Sequence, residues 1–106
     1  IHMDEGNSKH ILIIGKHQYM VENLQTLLSA AGFQVVGFNE VEKAVEEYKS
    51  HELNMLVFTG AVNPNDHSDM LKWKEEKFPS ALVFEHHGGP ATLVDEIKTI
   101  FDSSAQ

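Results

Sequence analysis

The sequence contains no cysteine and no arginine, and each absence excludes a class of site. Without cysteine there is no disulfide framework, no thiolate metal site and no cysteine nucleophile. Without arginine, the two-pronged clamp that often holds phosphates and carboxylates is missing, so an anionic ligand would depend on lysine and backbone N–H groups. The formal net charge of −8 also argues against nucleic acid as a partner.

Long apolar runs are absent as well. No stretch approaches the ~20 residues that a membrane-spanning helix needs, so we expect no membrane partner and a cytoplasmic location. The start of the chain looks like a vector remnant ahead of the initiator Met3, and residues 1–8 are expected to be this remnant and a disordered lead. The remainder predicts a single domain over residues 9–102, with a frayed tail over 103–106. No cofactor is expected.

Four short apolar segments predict β strands, over residues 10–15, 33–38, 53–58 and 80–85. The first is continuously apolar and rich in isoleucine, which is typical of a strand that is buried on both faces. The second alternates loosely and is expected near an edge of the sheet.

Apolar residues at three- and four-residue steps predict helices between and after these strands, over residues 18–31, 40–51, 67 or 68 to 77, and 90–102. Gly32 is expected to end the first helix, Asn39 to cap the second and Pro90 to lie in the first turn of the last. Residues 63–66 are rich in turn formers and are interpreted as a loop. Met70 and Trp73 are predicted core residues.

Strands that alternate with helices of about eleven residues indicate right-handed crossovers and a mostly parallel sheet. The expected architecture is therefore a three-layer α/β fold, with a four-stranded sheet in the order 2-1-3-4 and helices on both faces.

A family resemblance is carried by four features of the sequence. They are the spacing of the first strand, the Gly32–Phe33–Gln34–Val35 start of the second, the segment 53–59, and Gly89–Pro90 before an amphipathic helix. Over residues 9–101 the chain resembles the receiver domain of bacterial two-component response regulators, which has a flavodoxin-like fold. Receivers carry an acidic pair after the first strand, a phosphoacceptor Asp ending the third, a Ser or Thr ending the fourth and a Lys ending a fifth.

The corresponding places in this chain are filled differently. Gly15 and Lys16 follow the first strand, Thr59 and Gly60 end the third, and Glu85 ends the fourth. No room is left for a fifth strand before Pro90. The resemblance is therefore to a degenerate and shortened receiver that lacks the carboxylates for magnesium and the Asp for phosphorylation.

Such a resemblance implies a non-catalytic signalling or protein-interaction domain rather than an enzyme. Its partner would be another protein or a second copy of the chain. Because the shortened sheet exposes the fourth strand, we expect the contact at that edge or at the last helix.

The alternative is a small ligand- or metal-binding domain that uses a histidine-rich rim at the carboxyl ends of the strands. Zinc, nickel or copper accepts imidazole and carboxylate ligands, and the candidates are His17, Asp66, His67, His86 and His87. Against this, no HxH or HExxH spacing occurs, the adjacent His86 and His87 are expected to diverge, and His67 is assigned to a flexible loop.

Other chemistry has weaker support. Gly88 and Gly89 precede a helix whose N–H groups could receive an anion. However, the sequence has no GxGxxG after the first strand, no GxxxxGK[ST] and no GxSxG, so a nucleotide fold or a serine hydrolase is not indicated. The acidic pairs Glu46–Glu47 and Glu75–Glu76 are interpreted as solvated helix faces.

Overall fold

The computed structural model describes residues 9–60, 62–86 and 92–104. In these ranges, strands and helices alternate along the chain. The strands are β1 His10–Ile14, β2 Gln34–Phe38, β3 Met55–Phe58 and β4 Leu82–Glu85. The helices are α1 Gln18–Ala30, α2 Val41–Glu47, α3 Pro64–Lys77 and α4 Leu93–Ser104.

The four strands form one parallel sheet in the order β2-β1-β3-β4, which confirms the predicted topology. In the register of the sheet, Ile11 of β1 stands beside Met55 of β3, and Met55 stands beside Leu82 of β4. β1 and β3 are central, whereas β2 and β4 are the two edges.

Side-chain alternation along the central strands divides the core into two layers, because successive residues of a strand point to opposite faces. On one face, Ile11 and Ile13 pack with buried residues of α1 and α4. On the other, Leu12 and Ile14 pack with Ala44 of α2 and with α3. All four residues are at most 3% exposed. The predicted three-layer architecture is therefore confirmed.

The start of α3 differs from the prediction. Residues 63–66, interpreted from the sequence as a loop, open the helix instead. Asn63 is the N-cap, its side-chain oxygen accepts a hydrogen bond of 2.8 Å from the Asp66 N–H, and Pro64 lies in the first turn. The prediction failed because Asn and Pro are frequent both in turns and at helix N-termini.

α2 is shorter than predicted, and its cap is Glu40 rather than Asn39. The helix ends at Glu47 because Tyr48 takes an extended backbone conformation, with φ −76° and ψ 107°. The Tyr48 ring packs edge-on against Trp73 and Phe78, each at 5.8 Å between ring centroids. The aromatic contact with α3 therefore replaces the last predicted turn.

Other boundaries shift by a few residues. β3 and β4 each begin two residues later than predicted, and α4 continues through Ser104, so residues 103 and 104, predicted to fray, are helical. Gly32 has φ 102°, in the left-handed region, which confirms its predicted role after α1. The predictions for residues 1–8, for the Gly88–Gly89 turn and for Pro90 lie outside the described residues.

The buried and exposed positions predicted for α2 and α3 agree with the structure. Met70 and Trp73 are buried, as expected. The paired acids of α2 and α3 are exposed, and Glu75 accepts a 2.9 Å hydrogen bond from the buried amine of Lys74. No helix within the described ranges is long and apolar enough to cross a membrane.

A first prediction concerns Tyr48. Burial raises the pKa of its hydroxyl above the ordinary value of 10.0, a hydrogen bond with Ser50 lowers it, and the charge of Glu52 raises it. The folded-state pKa of Tyr48 lies above the unfolded one, so the folded state holds this proton more tightly. The resulting contribution to the free energy of unfolding is complete below about pH 10 and is lost as the pH rises through the raised pKa. We expect Tyr48→Phe to lose less stability than the wild type between about pH 8 and about pH 11.

Urea unfolding at several pH values measures this difference. Tyr19→Phe removes a hydroxyl from a side chain that is 65% exposed and is the matched control. Parallel curves for the wild type and Tyr48→Phe across this range would contradict the prediction.

Candidate functional site

Three residues stand side by side where the strands end. Gly15 follows β1, Thr59 follows β3 and His86 follows β4. The hydrogen bonding between neighbouring strands continues through these residues. The Thr59 N–H donates to the Ile14 carbonyl at 2.9 Å, and the His86 N–H donates to the Phe58 carbonyl at 2.8 Å. Alternation along the strands assigns all three to the face that is covered by α1 and α4. We call Gly15, Thr59 and His86 the strand-end row.

Gly15 leaves no space for a side chain. A Cβ at this position would stand 2.2 Å from Thr59 Oγ1 and 3.0 Å from a methyl group of Val21. Real atoms do not approach so closely, and both neighbours belong to the packed interior. The hydroxyl of Thr59 therefore occupies the space that a side chain at the end of β1 would need.

The other two members of the row are buried. Thr59 is 4% exposed and His86 is 3% exposed. The Thr59 hydroxyl donates to the Gly60 carbonyl at 3.3 Å, whereas His86 Nδ1 has no hydrogen-bond partner among residues 9–60, 62–86 and 92–104. The row thus offers polar atoms but no carboxylate.

Of the five positions matched from the sequence to a receiver's site, Glu85 is the one acidic residue, and it faces away from the row. Its side chain lies on the side of the sheet that carries α3, where an oxygen is 3.0 Å from His67 Nε2. Glu85 and Thr59 therefore cannot act together on one ligand atom.

A crevice opens between β1 and β3, where the strand order reverses and where α/β sheets commonly bind ligands. It is lined by residues at or beyond the ends of β1, β2 and β3: Ile14, Gly15, Lys16, Asn39, Val41, Val62, Asn63 and Asp66. Its volume of about 90 Å³ is far below the ~300 Å³ of small-molecule pockets. Lys16 is exposed at its rim.

His67 lies within α3 and not on the flexible loop to which the sequence interpretation assigned it. Its ring stacks on Phe58 with centroids 4.0 Å apart, and its Nε2 meets the Glu85 carboxylate. The His67 side chain is 28% exposed and the Glu85 side chain 50% exposed. A contact at this depth is worth at most about 1 kcal/mol, so its role is to join α3 to β4.

The remaining metal candidates are dispersed. His17 is exposed ahead of α1, with its ring 5.7 Å from that of Tyr19. Asp66 is engaged at the cap of α3, where its carboxylate accepts from the Asn63 side chain at 3.2 Å. Within the part of the chain that the structure describes, no three His, Asp or Glu side chains are gathered as a metal site requires. His87 lies outside that part, and the metal hypothesis stays a prediction.

Sequence reasoning missed two features of this region. The cap of α3 has a recognisable signal, because Asn63 and the acidic residue three positions later form a capping-box pattern. The fit of Thr59 against Gly15 has no such signal, since it depends on the register between β1 and β3.

Comparison with known proteins shows a likeness of fold. A scan against protein-family models finds no match, and a search of curated proteins finds no relative. Among solved structures, the chain is similar to the signal receiver domain of an HD domain-containing protein from Pseudomonas fluorescens Pf-5. The TM-score is 0.62 at 19% identity, with 88% of this chain and 74% of that chain covered. The fold is therefore receiver-like, as the sequence predicted.

A second prediction tests the Gly15–Thr59 fit. Gly15→Ala introduces a Cβ against Thr59 Oγ1, and we expect the free energy of unfolding to fall by about 1–3 kcal/mol, as for other overpacked interiors. Adding Thr59→Ala removes the clashing oxygen and recovers part of the loss. Urea unfolding measures both variants.

Gly60→Ala is the matched control, because a Cβ at Gly60 meets nothing within 4 Å. It should change the free energy of unfolding by no more than about 1 kcal/mol. Equal effects of Gly15→Ala and Gly60→Ala would refute this account of the strand ends.

Proposed function

We propose that this chain is a non-catalytic, receiver-like domain of a signalling protein, which acts by binding another protein and is not phosphorylated by the aspartyl mechanism. The strand-end row is the observation that carries the proposal. It holds glycine, threonine and histidine at the ends of β1, β3 and β4, and Thr59 fills the space beside Gly15.

The chemistry of phosphoryl transfer supports this assignment. A carboxylate is needed to form an acyl phosphate, and a hydroxyl at Thr59 cannot form one. That hydroxyl belongs to a residue that is 96% buried, where a phosphodonor has little access. Magnesium is usually held by one or two carboxylates, whereas Gly15 and Lys16 offer none.

A role in protein binding is supported by the outer strands. β4 is an edge of the sheet, and edge strands present unpaired backbone groups to other chains. The proposal therefore assigns function to a surface and not to the crevice beside Lys16. A cytoplasmic location is part of the proposal.

A third prediction tests the loss of phosphorylation. The chain is incubated with acetyl phosphate and magnesium, and intact-protein mass spectrometry follows the reaction, with an active receiver domain as the positive control. We expect the mass of this chain to stay unchanged while the control gains one phosphoryl group. A stoichiometric gain on this chain would overturn the proposed function.

A further inference from the structure

The outer edge of β4 presents free backbone groups. Leu82 and His86 direct their N–H groups to β3, with bonds of 2.9 Å to the Asn54 carbonyl and 2.8 Å to the Phe58 carbonyl. Because successive residues of a parallel strand alternate their hydrogen-bonding side, the N–H and C=O groups of Val83 and Glu85 point outward. Among the described residues, no hydrogen bond reaches them from that side.

The opposite edge of the sheet is partly covered. On β2, the outward residues are Val35 and Gly37, by the same alternation. The side chain of Gln25 from α1 donates to the Val35 carbonyl at 3.4 Å. A Cβ at Gly37 would stand 3.3 Å from the Gln25 side-chain oxygen, so this side chain lies close to both outward residues. Among the described residues, β4 is thus the edge whose outward backbone groups receive no side-chain hydrogen bond.

An apolar groove with an acidic rim runs beside the open edge. Phe84 of β4 and Ile100 of α4 are the large apolar residues of its lining. Asp95 and Glu96 supply its charges. The full lining is Phe84, Thr92, Asp95, Glu96, Thr99 and Ile100, and in this described part of the chain it includes no lysine.

The other side of the same edge is also apolar and acidic. Val83 is 38% exposed, and Glu85 is exposed next to it. A strand added to β4 would therefore have negative charge above and below its backbone. The whole chain, at −8, adds to this field.

We propose that β4 accepts, as an additional strand, an extended peptide segment of a partner protein in which lysine or arginine alternates with apolar residues. This inference rests on the proposed function and specifies its partner. Backbone hydrogen bonds to Val83 and Glu85 supply affinity, and the alternate side chains supply specificity.

The placement of the side chains follows from the geometry of a strand. Every second residue of the added strand faces α4, where the methylenes of a lysine cover Phe84 and Ile100 and its ammonium reaches Asp95 or Glu96. The intervening apolar residues face the exposed side of Val83. Opposite charge also speeds the encounter of the two chains.

A second copy of this chain is a poorer occupant of the edge. Two β4 strands that pair across a twofold axis would bring Glu85 and the acidic rims of both copies together. Like charges at an interface oppose association. The sequence allowed a homodimer at this edge. The experiments below distinguish such a dimer from the binding of a partner peptide.

The test uses fluorescence anisotropy with a labelled peptide of about ten residues that alternates lysine and valine. Its controls are a peptide in which glutamate replaces lysine, and a lysine–valine peptide with N-methylated amides on one edge. We expect the wild-type chain to bind the first peptide only. Equal binding of the acidic or the N-methylated peptide overturns the proposal, as does an absence of binding to all three.

Paired variants locate the binding site. Asp95→Asn with Glu96→Gln should raise the Kd by roughly fivefold to tenfold at low salt. The control pair, Glu46→Gln with Glu47→Gln, makes the same change of net charge on the exposed face of α2. This pair should raise the Kd far less. Equal effects of the two pairs would show that binding is non-specific, and would overturn the proposal.

Backbone pairing is tested on the two edges. Val83→Pro removes an outward N–H from β4 and should abolish binding, whereas Val35→Pro removes one from β2 and should not. Circular dichroism verifies the fold of each variant, and the N-methylated peptide tests the same pairing without altering the protein. Light scattering that shows a dimer, disrupted by Val83→Pro, would assign the edge to a second copy.

Failure of the peptide-binding proposal and failure of the proposed function give different results. A chain that stays unphosphorylated and ignores the basic peptide retains the proposed function but not this edge site. Phosphorylation by acetyl phosphate refutes the proposed function, whatever the peptides do.

Discussion

The structure depends on β1 being paired on both sides and buried on both faces. It lies between β2 and β3, and its residues Ile11 to Ile14 are at most 3% exposed. One slip in its register would exchange the two faces and send every core side chain to the wrong layer. The same register carries Gly15 to the side of Thr59, so the core and the strand ends are determined together.

At the carboxyl ends of the strands, the two faces of the sheet carry different side chains. On the side of α1 and α4, the strand-end row is closed by packing and contains no carboxylate. On the side of α3, His67 and Glu85 meet at the surface, above Phe58. Neither arrangement brings several carboxylates together, as a magnesium site held by protein side chains would. The fold is receiver-like, and among the described residues the outward backbone groups of β4 are left without hydrogen bonds.

Prediction from sequence succeeded where a single element carries its own pattern. The apolar run of β1, the amphipathic face of α1 and the glycine after it are local signals, and the alternation of strands with helices restricts the topology to a few arrangements. It failed where a contact between elements decided the outcome. Tyr48 leaves α2 to reach Trp73 and Phe78, and Asn63 caps a helix that its composition presents as a loop. His67 was assigned to that loop for the same reason.

By itself, the sequence determined the fold class and the strand order, because these follow from periodicity. It also determined that Gly15, Lys16 and Thr59 carry no carboxylate, because this follows from residue identity. Only the tertiary structure decided which side chains meet. It directed Glu85 away from Thr59, filled the space beside Gly15 and placed Gln25 against the β2 edge. Among the described residues, it left the outward groups of β4 without a hydrogen bond. Those outcomes depend on register and on helix placement, which involve residues far apart in the chain and leave no local pattern.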